Sequence, residues 1–378
     1  ADIPPEDPAV YRMIRRADTI GVFQIESRAQ MSMLPRLKPR NYYDLVIEIA
    51  IIRPGPIQGD MVHPYLRRRN GEEALTYPSE AVRDVLSRTL GVPTVQEQVM
   101  QLAMVAAGFS AGEADRLRRS MASWKRKGGL DQFEEKLLTG MKARGYPAHF
   151  AQQIFNQIKG FGEYGFPESH SASFALLAYA SSWLKCYHPA AFTCALLNSQ
   201  PMGFYAPAQL VADARKHGVR VLPVDVCISE HDSTLEFTDD DNTSKKAGEA
   251  LSLRLGLHMI KGLSSTGIGN ITRARSQRLF NSVQDLATRA QLDRKDMECL
   301  AAANALESLS GDRHRAYWQV AGVEKNIPVF GTPRFTECEV MLPRPGEGQN
   351  IAADYATTGL TLGRHPVSYT HLRAHETA

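Results

Sequence analysis

Few cysteines occur in this chain of 378 residues, and none stands in a closely spaced pair. The five are Cys186, Cys194, Cys227, Cys299 and Cys338. Disulfide frameworks and structural zinc sites both depend on cysteine pairs at short spacing, so neither kind of site is expected. Scattered cysteines are typical of a reducing compartment, and we therefore predict a cytoplasmic protein.

Long apolar runs are also missing from the chain. No stretch reaches the roughly 20 apolar residues that cross a bilayer, so we expect no membrane partner. The first residues, ADIPPEDPAVYRMIRR, lack the apolar core of a signal peptide. Because they also lack a starting methionine, we expect the sequence to begin within a longer protein.

Positive charge is concentrated in one short segment, although the net charge of the whole chain is only +3. Between residues 116 and 127 there are six cations and no acid, namely Arg116, Arg118, Arg119, Lys125, Arg126 and Lys127. Such a cluster attracts phosphate groups. A solvated helix face has the same composition, so for any single residue both interpretations stay open.

The segment from 160 to 185, GFGEYGFPESHSASFALLAYASSWLK, combines glycines with aromatic residues and then changes to helical spacing. This pattern predicts a glycine-rich loop that leads into a helix from Ser173, with Ser169 and Ser171 as candidate N-caps. Free backbone N–H groups and the helix dipole make such an end an anion site. A tight loop that caps a buried helix, with His170 as a packing residue, is the alternative.

Most other segments also have helical periodicity, which predicts a mainly α fold. Ser110 and Glu113 form a capping-box pattern before the helix that carries Arg118 and Arg119. The polar start of another helix, at residues 96–98, is a candidate for contact with a ligand.

The middle of the chain contains two patterns of a different kind. Alternating polarity at 233–237 and 250–255 predicts a β-hairpin whose tip, with Asp239 to Asp241, is solvated. Residues 260–269, IKGLSSTGIG, predict a glycine-bounded turn between two short helices, which binds DNA phosphates without reading sequence. Proline, glycine and polar residues from 322 to 348 indicate a linker.

Five motifs follow one another along the chain: GVFQIES at 21–27, RPGP at 53–56, QEQVMQ at 96–101, ADRLRRSM at 114–121 and YGFPESHSASFALLAY at 164–179. In this order and spacing, over residues 1–367, they resemble the bacterial C-family DNA polymerases, the relatives of the polymerase III alpha subunit. Pro167-Glu168 stands where replicative members usually carry Asn-Lys. With LRLGLHMIKG at 253–262, it is similar to the error-prone, damage-associated subgroup.

The resemblance implies part of an error-prone (translesion) DNA-directed DNA polymerase, a nucleotidyltransferase that adds deoxynucleotides to a primer 3′ end. In this family, palm-domain aspartates hold the catalytic Mg²⁺, and we find no counterpart of their Asp-x-Asp run in this sequence. We therefore assign no catalytic residue and no metal ligand to the chain. The implied partners are primer–template DNA, deoxynucleoside triphosphates, and damage-tolerance accessory proteins or a sliding clamp.

The resemblance also implies an order of domains. We expect a multi-helix polymerase fingers domain at 1–228. At 229–325 we expect a small β-hairpin followed by a helix-hairpin-helix DNA-binding module. Residues 326–367 would be a linker toward an oligonucleotide-binding barrel. Residues 368–378, SYTHLRAHETA, depart from the family pattern, and we expect them to be a foreign, unstructured tail.

Residue by residue, the motifs imply two binding sites. The nucleotide-binding residues would be Arg118, Arg119, Tyr164, Gly165, Phe166, Ser169, His170, Gln24, Glu26 and Arg53. The DNA-binding residues would be Lys261, Gly262, Gly267, Gly269, Lys125, Arg126 and Lys127. In the first site the two arginines would meet the triphosphate, and the aromatic segment would close over the nucleotide.

Three other functions are alternatives. One is a replicative polymerase III alpha subunit, from which Pro167-Glu168 distinguishes this chain. Another is a non-catalytic helix-hairpin-helix module, which would bind DNA tightly without binding nucleotides. The last is a metal-dependent hydrolase with His63, His170 and His188, but these histidines lack a ligand spacing such as HExxH.

Because the palm carboxylates have no counterpart here, we expect the purified chain to extend no primer, even with Mg²⁺ and all four deoxynucleoside triphosphates. A gel assay with a labelled primer on a longer template tests this expectation. Extension above the enzyme-free background would show that the chain contains a catalytic site after all.

Overall fold

The protein, seen in a computed structural model, divides into two compact units, residues 1–186 (unit 1) and 187–378 (unit 2). The structure describes residues 3–53, 57, 61–121, 131–164, 167–202, 204–237, 251–323 and 341–369, with the backbone alone at 131, 132 and 161–164. Helices dominate these residues, so the predicted mainly α fold is confirmed. In the described part of the chain, no helix combines the length and apolarity that a membrane span requires.

Unit 1 is built from helices. They are α1 (Pro8–Arg15), α2 (Arg28–Leu37), α3 (Tyr42–Ile51), α4 (Val62–Arg69), α5 (Glu80–Leu86), α6 (Gln96–Ala107), α7 (Ala111–Met121), α8 (Asp131–Ala143), α9 (Ala148–Tyr164) and α10 (Glu168–Tyr187). Several begin after a side chain that accepts a backbone N–H of the first turn, as Asp7, Ser27, Asn41 and Ser79 do. Local sequence therefore sets these helix starts.

Helix α6 lies within the main apolar core of unit 1, where it packs against α5, α7 and α8. Its residues Val99, Leu102 and Ala103 are almost fully buried in that core. Gly140 lets α8 come close, since a Cβ there would lie 2.1 Å from the carbonyl oxygen of Ala107. Dense packing of this kind holds α6, and with it the polar first turn of the helix, in one position.

The described part of the glycine–aromatic segment, residues 160–164, is helical, so the prediction of a loop there was wrong. Helix α9 continues through Gly160 as far as Tyr164. A glycine in a helix interior costs about 1 kcal/mol relative to alanine. The buried side chains Ile154, Phe155 and Ile158, however, hold this helix against the core. Tertiary packing thus outweighs the local preference of the glycines.

Helix α10 begins at Glu168, earlier than the predicted start at Ser173. Ser169 and Ser171 therefore lie in its first turn and do not cap it, so that prediction was also wrong. Further along, the Tyr42 hydroxyl donates to the carbonyl of Ala172 at 2.5 Å. Gly165 and Phe166, which precede this helix, are outside the described residues.

Unit 2 combines helices with a small sheet. Its elements are α11 (Pro189–Asn198), α12 (Pro207–Lys216), β1 (Val221–Leu222), β2 (Thr234–Phe237), β3 (Leu251–Arg254), α13 (Ser265–Gln277), α14 (Val283–Arg289), α15 (Arg294–Ala302), α16 (Glu307–Ser310), α17 (Arg313–Ala321) and α18 (Glu347–Thr357). Strand β3 is central, parallel to β1 and antiparallel to β2, with Leu235 opposite Leu253. The predicted hairpin is confirmed, and its tip with Asp239 to Asp241 lies outside the described residues.

The division into units differs from the predicted domain boundary. It falls between Cys186 and Tyr187 and not at 228, so α11 and α12 belong to unit 2, where α11 packs against β3. Part of the expected linker is also ordered, because residues 347–357 form α18. Its Ile351 is buried, and its Asp354 accepts a hydrogen bond from Arg313 Nη2 at 2.6 Å. The glycine and proline signals that indicated a linker end at Gly348, where a helical pattern follows.

The expected tail is described only at its first two residues. Tyr369 donates its N–H to the carbonyl of His365 at 3.0 Å, so Ser368 and Tyr369 complete a helical turn. The Tyr369 ring packs against Gly348, where a Cβ would lie 2.9 Å from it. These two residues are therefore ordered, and the remainder of the tail is outside the described residues.

One carboxyl group lies inside unit 1. Glu48 on α3 is fully buried, and among the described residues neither of its carboxylate oxygens has a hydrogen-bond partner. Burial raises the pKa of Glu48 well above its ordinary value, because the charged form loses its hydration. Over a range of pH, the folded state therefore keeps a proton that the unfolded chain releases.

We expect the parent protein to lose stability as the pH rises, and we expect the Glu48→Gln variant not to show this loss. Below the ordinary glutamate pKa both states of the parent are neutral, and the contribution of Glu48 is fully present. As the pH rises toward the raised pKa of the folded state, the parent's unfolding free energy should fall by up to about 1.4 kcal/mol per pH unit. Thermal melts from about pH 5 to about pH 8 should show a widening advantage for the variant.

Glu80→Gln is the matched control, since the Glu80 side chain is 81% exposed. Its difference from the parent should not vary with pH. If the Glu48→Gln advantage were also constant across this range, Glu48 would not be the group that titrates.

Candidate functional site

Arg118 and Arg119 are held by one acid, Asp115, on the preceding turn of α7. Arg118 donates from Nη2 and Nε to Asp115 Oδ1 at 2.9 and 3.1 Å. Arg119 donates from Nε to the other oxygen, Oδ2, at 2.8 Å, and its Nη2 contacts the same oxygen. Neighbouring residues on a helix point about 100° apart, yet these two guanidinium groups converge on a single carboxylate.

Asp115 was not singled out by the sequence reasoning, although a signal was present. It precedes the two arginines by three and four positions, the spacing at which side chains meet on a helix. Hydrogen bonds from Arg119 and then from Arg118 hold the pKa of Asp115 below its ordinary value. The acid is therefore ionised at neutral pH and offsets part of the positive charge.

The first turn of α7 contains a second set of charged contacts. Ser110 donates its N–H to Glu113 Oε2 at 2.9 Å, and Glu113 donates its N–H to Ser110 Oγ at 3.3 Å, which confirms the predicted capping box. A hydrogen bond from Lys136 of α8 is the main cause that lowers the pKa of Glu113 to about 2. Arg116 also lies 4.0 Å from this carboxylate.

Exposure distinguishes the two predicted arginines from a core ion pair. The side chains of Arg118 and Arg119 are 41% and 71% exposed, so a ligand in solvent has access to both. The neighbours Leu117 and Met121 are fully buried, as predicted. Lys125, Arg126 and Lys127 lie outside the described residues, and their role stays a prediction.

Gln24 and Arg53 are in direct contact. Arg53 donates from Nη2 to Gln24 Oε1 at 3.2 Å and from Nε to the carbonyl of Ile49 at 3.1 Å. Gln24 has φ of +64°, in the left-handed region that non-glycine residues adopt only where the surroundings fix them. Nearby in sequence, burial raises the pKa of Glu26. Whether these three residues bind a nucleotide stays a prediction.

A row of aromatic rings joins this segment to α10. The Phe23 ring meets Phe174 edge to face, with ring centroids 5.3 Å apart, and the His170 ring lies 5.2 Å from Phe174. His170 and Ser169 are both exposed on the first turn of α10. Phe174 thus connects His170 to the GVFQIES segment through two ring contacts. Tyr164 is the last residue of α9, and only its backbone is described.

The start of α10 is fixed by a cluster of charged residues, which the sequence reasoning missed. Glu97 of α6 accepts the backbone N–H of Glu168 at 2.9 Å, so it caps α10 from another helix. The Tyr43 hydroxyl donates to Glu168 Oε1 at 2.9 Å. Arg88 stacks on the Tyr43 ring, 3.9 Å from its centroid, and its Nη1 lies 4.0 Å from Glu168 Oε1.

The charged and polar groups of this cluster stabilise one another. Burial, followed by the contact with Glu168, raises the pKa of Tyr43 to about 12, so the hydroxyl remains a donor. The Arg88 guanidinium adds positive charge beside the Glu168 carboxylate. No sequence pattern signals the cluster, because its members come from four separate segments.

The polar start of α6 has two different roles. Gln98 is 6% exposed; it accepts the N–H of Thr94 and donates to Thr89 Oγ1, each at 2.8 Å. These bonds anchor the helix start internally, so Gln98 is a structural residue and not a ligand contact. Glu97 beside it is the residue that reaches α10.

In unit 2, the glycine-bounded turn is supported from within the fold. Ser264 donates from N and Oγ to the two carboxylate oxygens of Asp296 on α15, at 2.9 and 2.7 Å. Gly267 donates its N–H to Ser264 Oγ at 2.9 Å, and a Cβ on Gly267 would lie 2.3 Å from Asp296 Oδ2. Gly262 has φ of +85°, which favours glycine. Both glycines are thus needed by the shape of the turn itself.

The other two predicted DNA contacts are placed differently. A Cβ on Gly269 would meet nothing within 4 Å, so this part of α13 is open. Lys261 donates from Nζ to the carbonyls of Tyr355 and Ala356 at 3.2 and 3.3 Å, and its N–H donates to Thr357 at 2.8 Å. Lys261 therefore caps the carboxyl end of α18, a role that its position in the sequence does not reveal.

The histidines of the hydrolase hypothesis do not support it. Among the described residues, His63, His170 and His188 belong to none of the groups of three potential metal ligands that lie close together. His63 and His170 are exposed on two different helices of unit 1, α4 and α10.

Two stretches of the chain match known families. Residues 1–145 match the bacterial DNA polymerase III alpha subunit finger domain, and residues 218–316 match a helix-hairpin-helix motif. Both matches agree with the resemblance that the sequence motifs indicated.

Curated relatives are similar over nearly the whole chain. They include proteins named error-prone DNA polymerase from Methylococcus capsulatus, Alkalilimnicola ehrlichii and Pseudomonas fluorescens, at 63%, 61% and 61% identity. Each alignment covers 97% of this chain but only 36%, 35% and 36% of the respective relative. The chain thus spans roughly a third of the length of these relatives, and the resemblance to the error-prone subgroup is confirmed.

We expect Glu97→Ala to loosen the start of α10. The variant leaves the N–H of Glu168 without its carboxylate acceptor, and loss of a helix cap costs about 0.5–2 kcal/mol. Hydrogen exchange of the amides at 168–171 should therefore accelerate. Glu97→Gln keeps an acceptor oxygen and should have a smaller effect. Glu80→Ala, on the exposed face of α5, is the control, and equal exchange in all variants would show that Glu97 does not hold this turn.

Proposed function

We propose that this chain, whose first 145 residues belong to the finger-domain family of the bacterial DNA polymerase III alpha subunit, is the nucleotide- and DNA-binding part of an error-prone DNA polymerase. Unit 1 would bind the incoming deoxynucleoside triphosphate, and unit 2 would bind primer–template DNA. Addition of deoxynucleotides to the primer would be the activity of the whole protein. Accessory proteins or a sliding clamp would be further partners of that whole protein.

The arginine pair on α7 is the observation that carries the nucleotide-binding proposal. Asp115 engages the Nε and Nη2 nitrogens of each guanidinium. The side chains of Arg118 and Arg119 are nevertheless 41% and 71% exposed, so a ligand in solvent can reach the pair. A triphosphate presents several anionic oxygens, and two oriented guanidinium groups match them better than ammonium groups would. Asp115 would thus hold the pair in position until the ligand arrives.

The first turn of α10 supports the same proposal. Ser169 and His170 offer polar side chains beside a helix start that Glu97 and Glu168 hold in place. The Phe23–Phe174 contact joins the next turn of α10 to the segment of Gln24, so residues from two motifs are in contact. We assign no Mg²⁺ ligand in this chain, since the resemblance places the metal-binding aspartates in the palm domain.

In unit 2 the helix-hairpin-helix match and the open backbone at Gly269 support DNA binding. Helix-hairpin turns contact phosphates through backbone N–H groups, so binding should be independent of sequence and sensitive to salt. The non-catalytic DNA-binding module remains the second candidate for this chain taken alone. It predicts tight DNA binding without any binding of nucleotides.

We expect Arg118→Ala and Arg119→Ala each to weaken binding of a deoxynucleoside triphosphate by roughly tenfold or more, because each removes charge-assisted hydrogen bonds to phosphate. Titration calorimetry with the full chain measures the nucleotide Kd, and fluorescence anisotropy measures the Kd for primer–template DNA. Arg116→Ala is the matched control, since Arg116 lies on the same helix but near Glu113. It should leave the nucleotide Kd unchanged.

Two results would contradict the assignment. If nucleotide binding were unchanged while DNA binding weakened, the pair would hold template backbone. If the parent chain bound DNA but no nucleotide at all, the second candidate would be the better description.

A further inference from the structure

Unit 2 contains a cavity of about 470 Å³ between α15, α17 and α18, beside the glycine-bounded turn. This volume is in the range of sites that take one small organic group. The floor is mostly apolar, with Cys299, Ala302 and Val320 among its side chains. The helix-hairpin-helix match covers residues 218–316, which include α15 but not Tyr317, Val320 or α18, and it gives no role to the cavity.

The rim of the cavity is positively charged. Lys261, Arg294 and Lys295 line it, against one acid, Glu298. Arg294 is 82% exposed and bonds Glu298 only through Nε, at 2.9 Å, so its Nη nitrogens are outside that bond. The Lys261 ammonium donates to two carbonyls of α18, which leaves one of its three N–H donors for another acceptor. The rim is therefore suited to an anionic group.

One wall of the cavity is aromatic. Tyr317 of α17 lines it and is 44% exposed. A half-exposed aromatic ring above an apolar floor offers a flat face for stacking, and the cations at the rim lie beside it. Aromatic faces next to phosphate-binding cations are the combination by which proteins hold unpaired bases of a DNA strand.

We infer that this cavity holds one unpaired nucleotide of DNA, with its base stacked on Tyr317 and a flanking phosphate at Arg294, Lys295 and Lys261. The inference rests on the proposed DNA-binding function of unit 2 and specifies its ligand further. A base within a duplex cannot enter such a cavity without leaving its partner. The site therefore favours DNA that has a single-stranded extension, as the template beyond a primer end has.

The test compares two DNA ligands on the full chain. One is a blunt duplex, and the other is the same duplex with a single-stranded overhang that carries 2-aminopurine, a fluorescent base. We expect the parent to bind the overhang DNA more tightly and to quench the 2-aminopurine. Tyr317→Ala should weaken binding of the overhang DNA roughly tenfold and abolish the quenching, as expected for loss of one stacked base. Its affinity for the blunt duplex should not change.

Trp318→Ala is the matched control, because Trp318 follows Tyr317 on the same helix, is 52% exposed and does not line the cavity. It should behave as the parent does. Ala302→Phe, which fills the cavity, should reproduce the Tyr317→Ala result; a thermal melt checks that this variant is folded. If Ala302→Phe does not fold, the result with Tyr317→Ala alone decides the outcome.

The possible failures are distinguishable. If the duplex binds but Tyr317→Ala changes neither the preference nor the quenching, or weakens both ligands equally, the cavity does not hold an unpaired nucleotide. If neither DNA binds the parent chain, the proposed DNA-binding function of unit 2 fails, and this inference fails with it.

Discussion

The hydrogen bond from the Glu168 N–H to the Glu97 carboxylate is the contact on which the candidate site of unit 1 depends. Glu97 can hold its position because Gln98 beside it is buried and bonded to the preceding turn. The core packing of α6 is thereby transmitted to the first turn of α10. A carboxylate at a helix start also interacts favourably with the helix dipole, so this acceptor is better than a neutral one. The backbone that carries the exposed residues of that turn is therefore held in one position.

Opposite charges are paired at each of the two helices that would meet a triphosphate. On α7, Asp115 lies between Arg118 and Arg119, and near the start of α10, Arg88 lies beside Glu168. When no ligand is bound, Asp115 therefore reduces the repulsion between the two arginines. Binding a triphosphate to α7 brings more negative charge to a helix where Asp115 is already ionised. The gain in binding must therefore come from geometry and from additional hydrogen bonds, and not from net charge alone.

Much of the fold could be predicted from the sequence, because it depends on local signals. The helix of Arg118 follows from its capping box and its buried neighbours, and the β-hairpin follows from alternating polarity. The site was predictable only in part. The continuation of α9 through Gly160 reflects tertiary packing that overrides propensity, and the cap of α10 comes from Glu97, far away in sequence. Asp115 had a local signal, at helical spacing from its partners, whereas contacts between distant segments have none.

In unit 2, the position of α18 and the positive charge of the glycine-bounded turn depend on the same side chain. Lys261 bonds the last carbonyls of α18, where the helix dipole is negative. These bonds extend the flexible lysine stem in one direction and so place its charge at the rim of the cavity. A phosphate oxygen can accept a hydrogen bond from the remaining ammonium N–H while both carbonyl bonds are kept. Residues 347–357, which looked like a linker in the sequence, therefore help to position the positive charge of the glycine-bounded turn.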